Sequence, residues 1–389
     1  MNAESKSKSR SRWKVPTTLG LAGVMVAGSC WFGLQKSGAL SDAGDDAYAP
    51  APVSAAAPAT PSITNGASGV TPDTPFVLTA PAGETIGSVT VSDATAHSVP
   101  GAFSADHRTW TSARNLRVAD EYEVTAETGD AKDNGVNLQH MSFSTAQETN
   151  AVEYSDVFPA DKSTDGVAQP VVVEFAHPIT DKAAVERALT VYSDPPQAGS
   201  WGWLSSQRVD YRPQNYWKPG TKVSVDIAMD GVDIGDGQFG TKDRQLSFTV
   251  GRDQETVVDL QSDQAAVFHD GQQVKSFPVS GGMPGLDTWG GTFAVIDKSP
   301  DVRMDSRSAG LGDAYDIPDV KWDVHFTYSG TYVHSAPWSV GDQGVRNVSH
   351  GCVGTNPDAA EWFYDSTLPG DVIKVVNSPR TGAIGNGFN

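Results

Sequence analysis

The chain has 389 residues, 28 basic against 47 acidic side chains, a formal net charge of −19, and only two cysteines. That length exceeds what one hydrophobic core sustains and predicts two to three domains. A chain this acidic repels phosphate backbones, which excludes nucleic acid as a partner, while the net charge says nothing about fold.

Residues 1–36 hold six basic side chains and one acid, so the remainder is more acidic still, at −24. Lys6 to Lys14 form a basic flank, and the twenty residues "VPTTLGLAGVMVAGSCWFGL" behind it carry no charge. Such a pattern predicts an export signal or an uncleaved membrane anchor. "VAGSC" adds lipid attachment at Cys30, since it resembles a lipoprotein signal. All three place the bulk of the chain outside the cytoplasm, in the cell envelope, and the anchor and the lipid would also tie it to the membrane. Residues 37–62 are Ala, Pro, Ser and Asp with little to bury, and they read as a flexible linker.

From 63 to 148, "PFVLTAP", "GSVTVSD" and "RTWTSARNLRVADEYEVTAET" alternate β-rich runs with turn residues, as in a small β-sandwich. From 149 to 251 the theme returns in "PVVVEFAHPI", "DYRPQNYWKPGTKVSVDIAMDG" and "QLSFTVG". An offset of 101 lays Trp110 on Tyr211, Leu116 on Trp217, Ala119 on Gly220 and Val124 on Val225. Two sandwiches in tandem are predicted, with one short helix near "DKAAVERAL", acting as a stalk. Inside the second, "GVDIGDGQFG" sets Asp233, Asp236 and Gly237 in a tight loop. Hard cations favour clustered carboxylate and carbonyl oxygens, so a structural calcium site competes there with a plain Asp-Gly turn.

The third segment, 252–378, opens with strands in "ETVVDL", "AAVFHDGQQVKSFPVS" and "GTFAVID", the middle one folding back at Asp270-Gly271. "VKWDVHFTYSGTYVHS" reads as one long strand whose apolar parity, Trp322 to His334, points His334 with the core unless a bulge at Gly330 breaks phase. "NPDAAEWFYDS" predicts a short helix with Asn356 as N-cap and Pro357 at its first position, and "GDVIKVVN" a closing strand. Residues 379–389 form a tail. The segment is mainly β.

Cys30 lies in or at the membrane, which leaves Cys352 without a partner in a compartment that favours disulfides. An inert buried thiol is one outcome. The other is a nucleophile, which needs an imidazole within reach to take its proton. His334 at a strand end and His350, two residues from the cysteine in a turn, are both candidates. Gly351 lets consecutive amides converge on one point. Such a site performs acyl transfer.

His334 followed by "SHGC" at Ser349 to Cys352, with "HSAPWSVGDQG", "EWFYD" and "GDVIKVVN" around it, resembles the L,D-transpeptidase (YkuD-type) catalytic domain. Over residues 60–378 the likeness extends to membrane-anchored members with two immunoglobulin-like domains. It implies a mainly β chain: two tandem immunoglobulin-like β-sandwiches, then a β-sandwich catalytic domain with a short helix. It further implies that Cys352 holds a peptidoglycan tetrapeptide stem as a thioester, releases D-alanine, and passes the acyl group to a second stem as a 3→3 cross-link. His334 would be the base, oriented by the Ser335 carbonyl, and the amides of His350, Gly351 and Cys352 would cradle the oxyanion. Ser329, Gly330 and Trp338 would line the channel, with Ser349 and Gly354 beside them. Met304 and Tyr315 would sit in a flap over the site. No cofactor is needed for catalysis, and carbapenem β-lactams would acylate the thiolate. The calcium loop in the second domain also matches the resemblance.

Three departures from that family stand out. Gly354 replaces a polar side chain, which implies a lost substrate contact. Ala309 stands in the flap where a tyrosine is common, which implies easier entry of water. The chain ends without a tryptophan-rich tail. An L,D-carboxypeptidase using the same pair, and a non-catalytic wall-binding spacer, are the competing expectations; general cysteine proteolysis lacks its own motifs.

Overall fold

The computed structural model describes residues 56–129, 136–147, 151–308 and 310–381. The expected signal or anchor segment, Cys30, most of the linker, Ala309 and the end of the tail lie outside the described residues. No helix among the described residues is long and apolar enough to cross a membrane.

Three apolar cores follow one another along the chain. The first, from Ala59 to Phe143, fills the space between a four-stranded and a three-stranded sheet. Phe76 stacks on Phe143 there with ring centroids 5.4 Å apart, and Trp110 meets Phe76 edge-on at 6.2 Å. The second, centred on Val171–Val173, Trp217 and Phe248, lies between two four-stranded sheets. α1 (Lys182–Ala188) borders it, capped by the Asp181 side chain on the Ala184 amide. The offset of 101 has a structural meaning. Trp110 and Tyr211 are both buried, as are Leu116 and Trp217, and Val124 and Val225. Ala119 and Gly220 share a left-handed backbone, at φ 53° and 80°.

The third core belongs to a curled nine-stranded sheet. Its strands are β1 (Gln254–Asp259), β2 (Gln264–His269), β3 (Gln272–Ser280), β4 (Gly291–Ala294), β5 (Asp297–Asp305), β6 (Asp316–Thr327), β7 (Thr331–Ser335), β8 (Val353–Thr355) and β9 (Val372–Val376). Their order across the sheet is 4-9-1-2-3-8-7-6-5. Val324, Phe326, Val333, Val353 and Phe363 pack on one side, each burial stabilising by about 1.5–3 kcal/mol. α2 (Pro357–Ser366) contributes Phe363 and is capped by Asn356 on the Ala359 amide, with Pro357 at its first turn.

Several expectations need correction. "VKWDVHFTYSGTYVHS" is a hairpin rather than one strand, because Tyr328 to Gly330 reverse the chain and Gly330 takes φ 85°, a conformation that favours glycine. The register shift between His325 and Thr327, rather than the reversal itself, changes the facing of His334. Val324 and Val333 are register partners in the core, so His334, one step on, points to the opposite face. The strand 297–305 was not expected either. It pairs with β6 along nearly its whole length, and together they form a long arm whose tip carries Met304 and Tyr315. β9 does not close the sheet at an edge but lies between β4 and β1.

Candidate active site

β7 and β8 run parallel, with His334 opposite Gly354 and Val333 opposite Val353. Side chains alternate along strands. With both valines in the core, His334, Gly354 and Cys352, the residue just before β8, share the outer face. Gly354 leaves that face clear beside the imidazole, and a Cβ there would come 2.8 Å from the Ala336 Cβ. The missing side chain thus has a packing reason.

His334 is buried, and its Nδ1 lies 2.9 Å from the Ser335 carbonyl. A carbonyl only accepts, so Nδ1 carries the hydrogen and Nε2 is left as the acceptor. Burial holds the imidazole below its usual pKa range, with the Ser335 carbonyl pulling the other way. Cys352 is half-buried, and its Sγ donates to the Gly330 carbonyl at 3.7 Å. Burial pushes the thiol up to about 11; the Tyr332 amide counteracts and the Asp323 charge adds to the rise. The resting pair is therefore a neutral thiol and a neutral imidazole. Such a pair forms its nucleophile as it attacks, by passing the proton to Nε2.

The turn before the nucleophile is tied to itself. The Gly351 amide donates to the Ser349 hydroxyl at 3.1 Å, and that hydroxyl donates to the Cys352 carbonyl at 2.6 Å. Gly351 takes φ 126°. Of the amides expected to cradle an oxyanion, that of Gly351 is thus engaged by Ser349 in this state. The His350 ring packs on Tyr315 at 4.8 Å. Burial raises the Tyr315 hydroxyl pKa, with Cys352 and then Asp305 adding to it. Trp338 is 56% exposed, its ring 6.0 Å from that of His334.

Cys352 opens onto several cavities. One of about 210 Å³ is walled by His334, Trp338, Met304, Tyr315, Ser349, His350 and Gly354. Two others, of about 500 and 460 Å³, reach the same sulfur past Ser329 and Gly330. Tyr315 borders all three. The geometry suits a carbonyl carbon at Sγ with separate approaches for two chains. Sequence reasoning missed Ile317, Ser280 and Val348 in the first wall. Ile317 enters through its pairing opposite Met304 in the arm, and all three come together only through the fold.

The loop at Asp233 is a small hairpin turn, with Asp236 and Gly237 both at positive φ. The Asp233 carboxylate accepts the Gly235 amide at 2.8 Å, and no group of three His, Cys, Asp or Glu among the described residues is arranged to hold a metal. Calcium takes six to eight oxygens, and the two carboxylates of this turn supply only a minority of them.

Comparison with known proteins agrees with the geometry. The family model "L,D-transpeptidase catalytic domain" matches residues 253–376, and "Bacterial Ig domain" matches 67–233, across both sandwiches. The chain is 36% identical over 323 residues to L,D-transpeptidase 2 of Mycobacterium tuberculosis (strain CDC 1551 / Oshkosh), covering 82% of this chain and 78% of that one. It is 38% identical over 229 residues to L,D-transpeptidase 1 of strain ATCC 25618 / H37Rv, covering 57% and 84%. Among solved structures, an LD transpeptidase in complex with imipenem superimposes with a TM-score of 0.50 at 36% identity, covering 57% of this chain and 98% of that one.

Proposed function

The chain belongs to the L,D-transpeptidase family, and on that premise we propose that it makes 3→3 peptidoglycan cross-links through a thioester on Cys352. The observation that carries this is the parallel pairing of β7 and β8, which puts His334 and Cys352 on one face of adjacent strands, walling one cavity.

Sγ attacks the carbonyl carbon after the third residue of a tetrapeptide stem while its proton passes to His334 Nε2. The C–N bond to the terminal D-alanine breaks, and the leaving amine takes that proton. The side-chain amine of a second stem then attacks the thioester, gives its proton to His334, and the thiol re-forms as the new amide is released. Backbone amides of the 350–352 turn would hold the oxyanion, which requires the Gly351 amide to leave Ser349. Stem peptides would enter past Met304, Tyr315 and Trp338 on one side and Ser329 and Gly330 on the other. Catalysis needs no cofactor, and a carbapenem would acylate the same sulfur. The basic, then uncharged N-terminus supports action at the membrane's outer side, with the sandwiches as a spacer.

Incubation of a disaccharide-tetrapeptide with the chain should yield cross-linked dimers and free D-alanine by mass spectrometry, and Cys352→Ala should yield neither. Tripeptide alone would assign water as the acceptor and make the chain an L,D-carboxypeptidase. No reaction, together with no mass increment from a carbapenem, would leave only a wall-binding spacer.

A further inference from the structure

Asp323 is an acid set in an apolar run, "KWDVHF", and the steps above do not use it. It is 0% exposed, and neither carboxylate oxygen has a hydrogen-bond partner among the described residues. Buried carboxylates normally find partners because the uncompensated charge is costly.

Its place in the sheet suggests a use. β6 and β7 register Val324 with Val333 and His325 with Tyr332. One further step along the ladder sets Asp323 beside His334. Val324 and Val333 enter the core, while the His325 and Tyr332 rings stack at 4.4 Å on the other face. Alternation puts Asp323 and His334 on that same outer face. Strands lie about 4.8 Å apart, so the carboxylate sits one spacing from the strand of the base and two, about 10 Å, from that of the nucleophile.

We propose that Asp323 is a positioning residue for the acyl transfer, whose carboxylate favours the His334 imidazolium that forms when Cys352 gives up its proton. With Cys352 and His334 taken as the reacting pair, no bond to Asp323 forms or breaks during transfer. Above about pH 7 its own proton has gone to solvent, and the transferred proton travels only from Sγ to Nε2 to the leaving amine. Burial raises this carboxyl to about 7, Asp301 on β5 adding and Lys321 on its own strand opposing. The other titratable groups on its face are His334 and Tyr332 from β7, Cys352 at the start of β8, and His325, whose Nδ1 lies 3.2 Å from Asp297. α2 packs against the opposite side of β6, where Tyr364 meets Trp322 at 5.3 Å. The same charge opposes the thiolate. Asp323 therefore acts on base and nucleophile with opposite signs.

The test compares the full chain with Asp323→Asn between pH 5.5 and 9, following acylation by imipenem and alkylation by iodoacetamide. Acylation uses the base, whereas alkylation reports the thiolate alone. At pH 8 the variant should acylate about tenfold more slowly, the effect of one pKa unit at His334. It should alkylate faster at any given pH, because its thiol ionises more easily. The wild-type acylation profile should carry a step between pH 6 and 8 that the variant lacks. Acylation unchanged in the variant, or both reactions slowed alike as in a loosened site, overturns the proposal. Should the variant fail to fold, the wild-type profile decides, and a profile without that step overturns it. Imipenem leaving no adduct on the wild type at any pH is a different result, which removes the Cys352 premise and the role of Asp323 together.

Discussion

Burial holds the Cys352 thiol protonated up to about 11 and the His334 imidazole neutral below its ordinary range. Each shift disfavours the charged form of its own group, so a preformed thiolate–imidazolium pair is disfavoured twice over. What remains is a site that ionises on demand, with Nε2 aligned by the Ser335 carbonyl and the sulfur parked on Gly330. Iodoacetamide alkylation of the wild type should therefore climb steadily from pH 7 to pH 10 without levelling off. A plateau reached by pH 7 would mean that the ion pair already exists at rest.

At the scale of elements, the short strand β8 does the positioning. It is three residues long and joins β3 on one side to β7 on the other. Cys352 precedes it and the α2 N-cap follows it, so the thiol is fixed between a tied turn and a helix start. Asn356 satisfies the Ala359 amide at 2.9 Å, an otherwise unpaired donor of the first turn. Asn356→Ala should cost about 1 kcal/mol of stability, read as a lowered unfolding midpoint. Imipenem acylation should stay within about twofold of wild type, because β8 keeps both of its neighbours. At the far end of the same helix, Lys298 Nζ donates to the Tyr364 and Thr367 carbonyls at 2.6 and 2.8 Å, which ties β5, the base of the arm, to α2.

At the scale of the whole molecule, the second sandwich and the catalytic sheet are not independent beads. Ala294 and Val372 of the sheet belong to the core of the second sandwich, and the Gly166 and Ala168 amides donate to the Pro369 and Gly370 carbonyls. The Arg208 guanidinium lies 4.7 Å from the Tyr328 ring, at the turn that leads to Gly330. Buried carboxyls are spread across the segments. Burial raises Asp323 and Asp371 to about 7, and Asp165 and Asp230 to about 6. Unfolded, all four would ionise near 3.9. Between that value and 6–7 the folded chain binds protons that the unfolded chain releases, so their contribution to stability is lost as pH rises through this window. His269 and His334, both held neutral by burial, lose stability instead as pH falls below about 6.5. The unfolding midpoint should therefore rise when pH is lowered from 8 to about 6, and a flat or opposite trend would contradict the carboxyl assignments.

Local chemistry made much of this legible. The N-cap at Asn356, the Asp270-Gly271 reversal, the β-rich runs and the offset of 101 all depend on residues close in sequence, as does the turn that ends in Cys352. The hairpin at Ser329-Gly330 was also local, yet it was overridden by an apolar parity that continued across the turn. The facing of His334 inverts because the register shift between His325 and Thr327 moves the pairing by one residue, which a parity continued across the turn does not include. The significance of Asp323 and the packing role of Gly354 arise from neighbours on other strands. The sequence by itself determined which segments could bury a face and which side chains are able to carry acyl-transfer chemistry, since both depend on side-chain type and spacing. Only the tertiary structure decided that thiol, imidazole and buried carboxyl share one face, since strand register brings together residues that no local interaction connects.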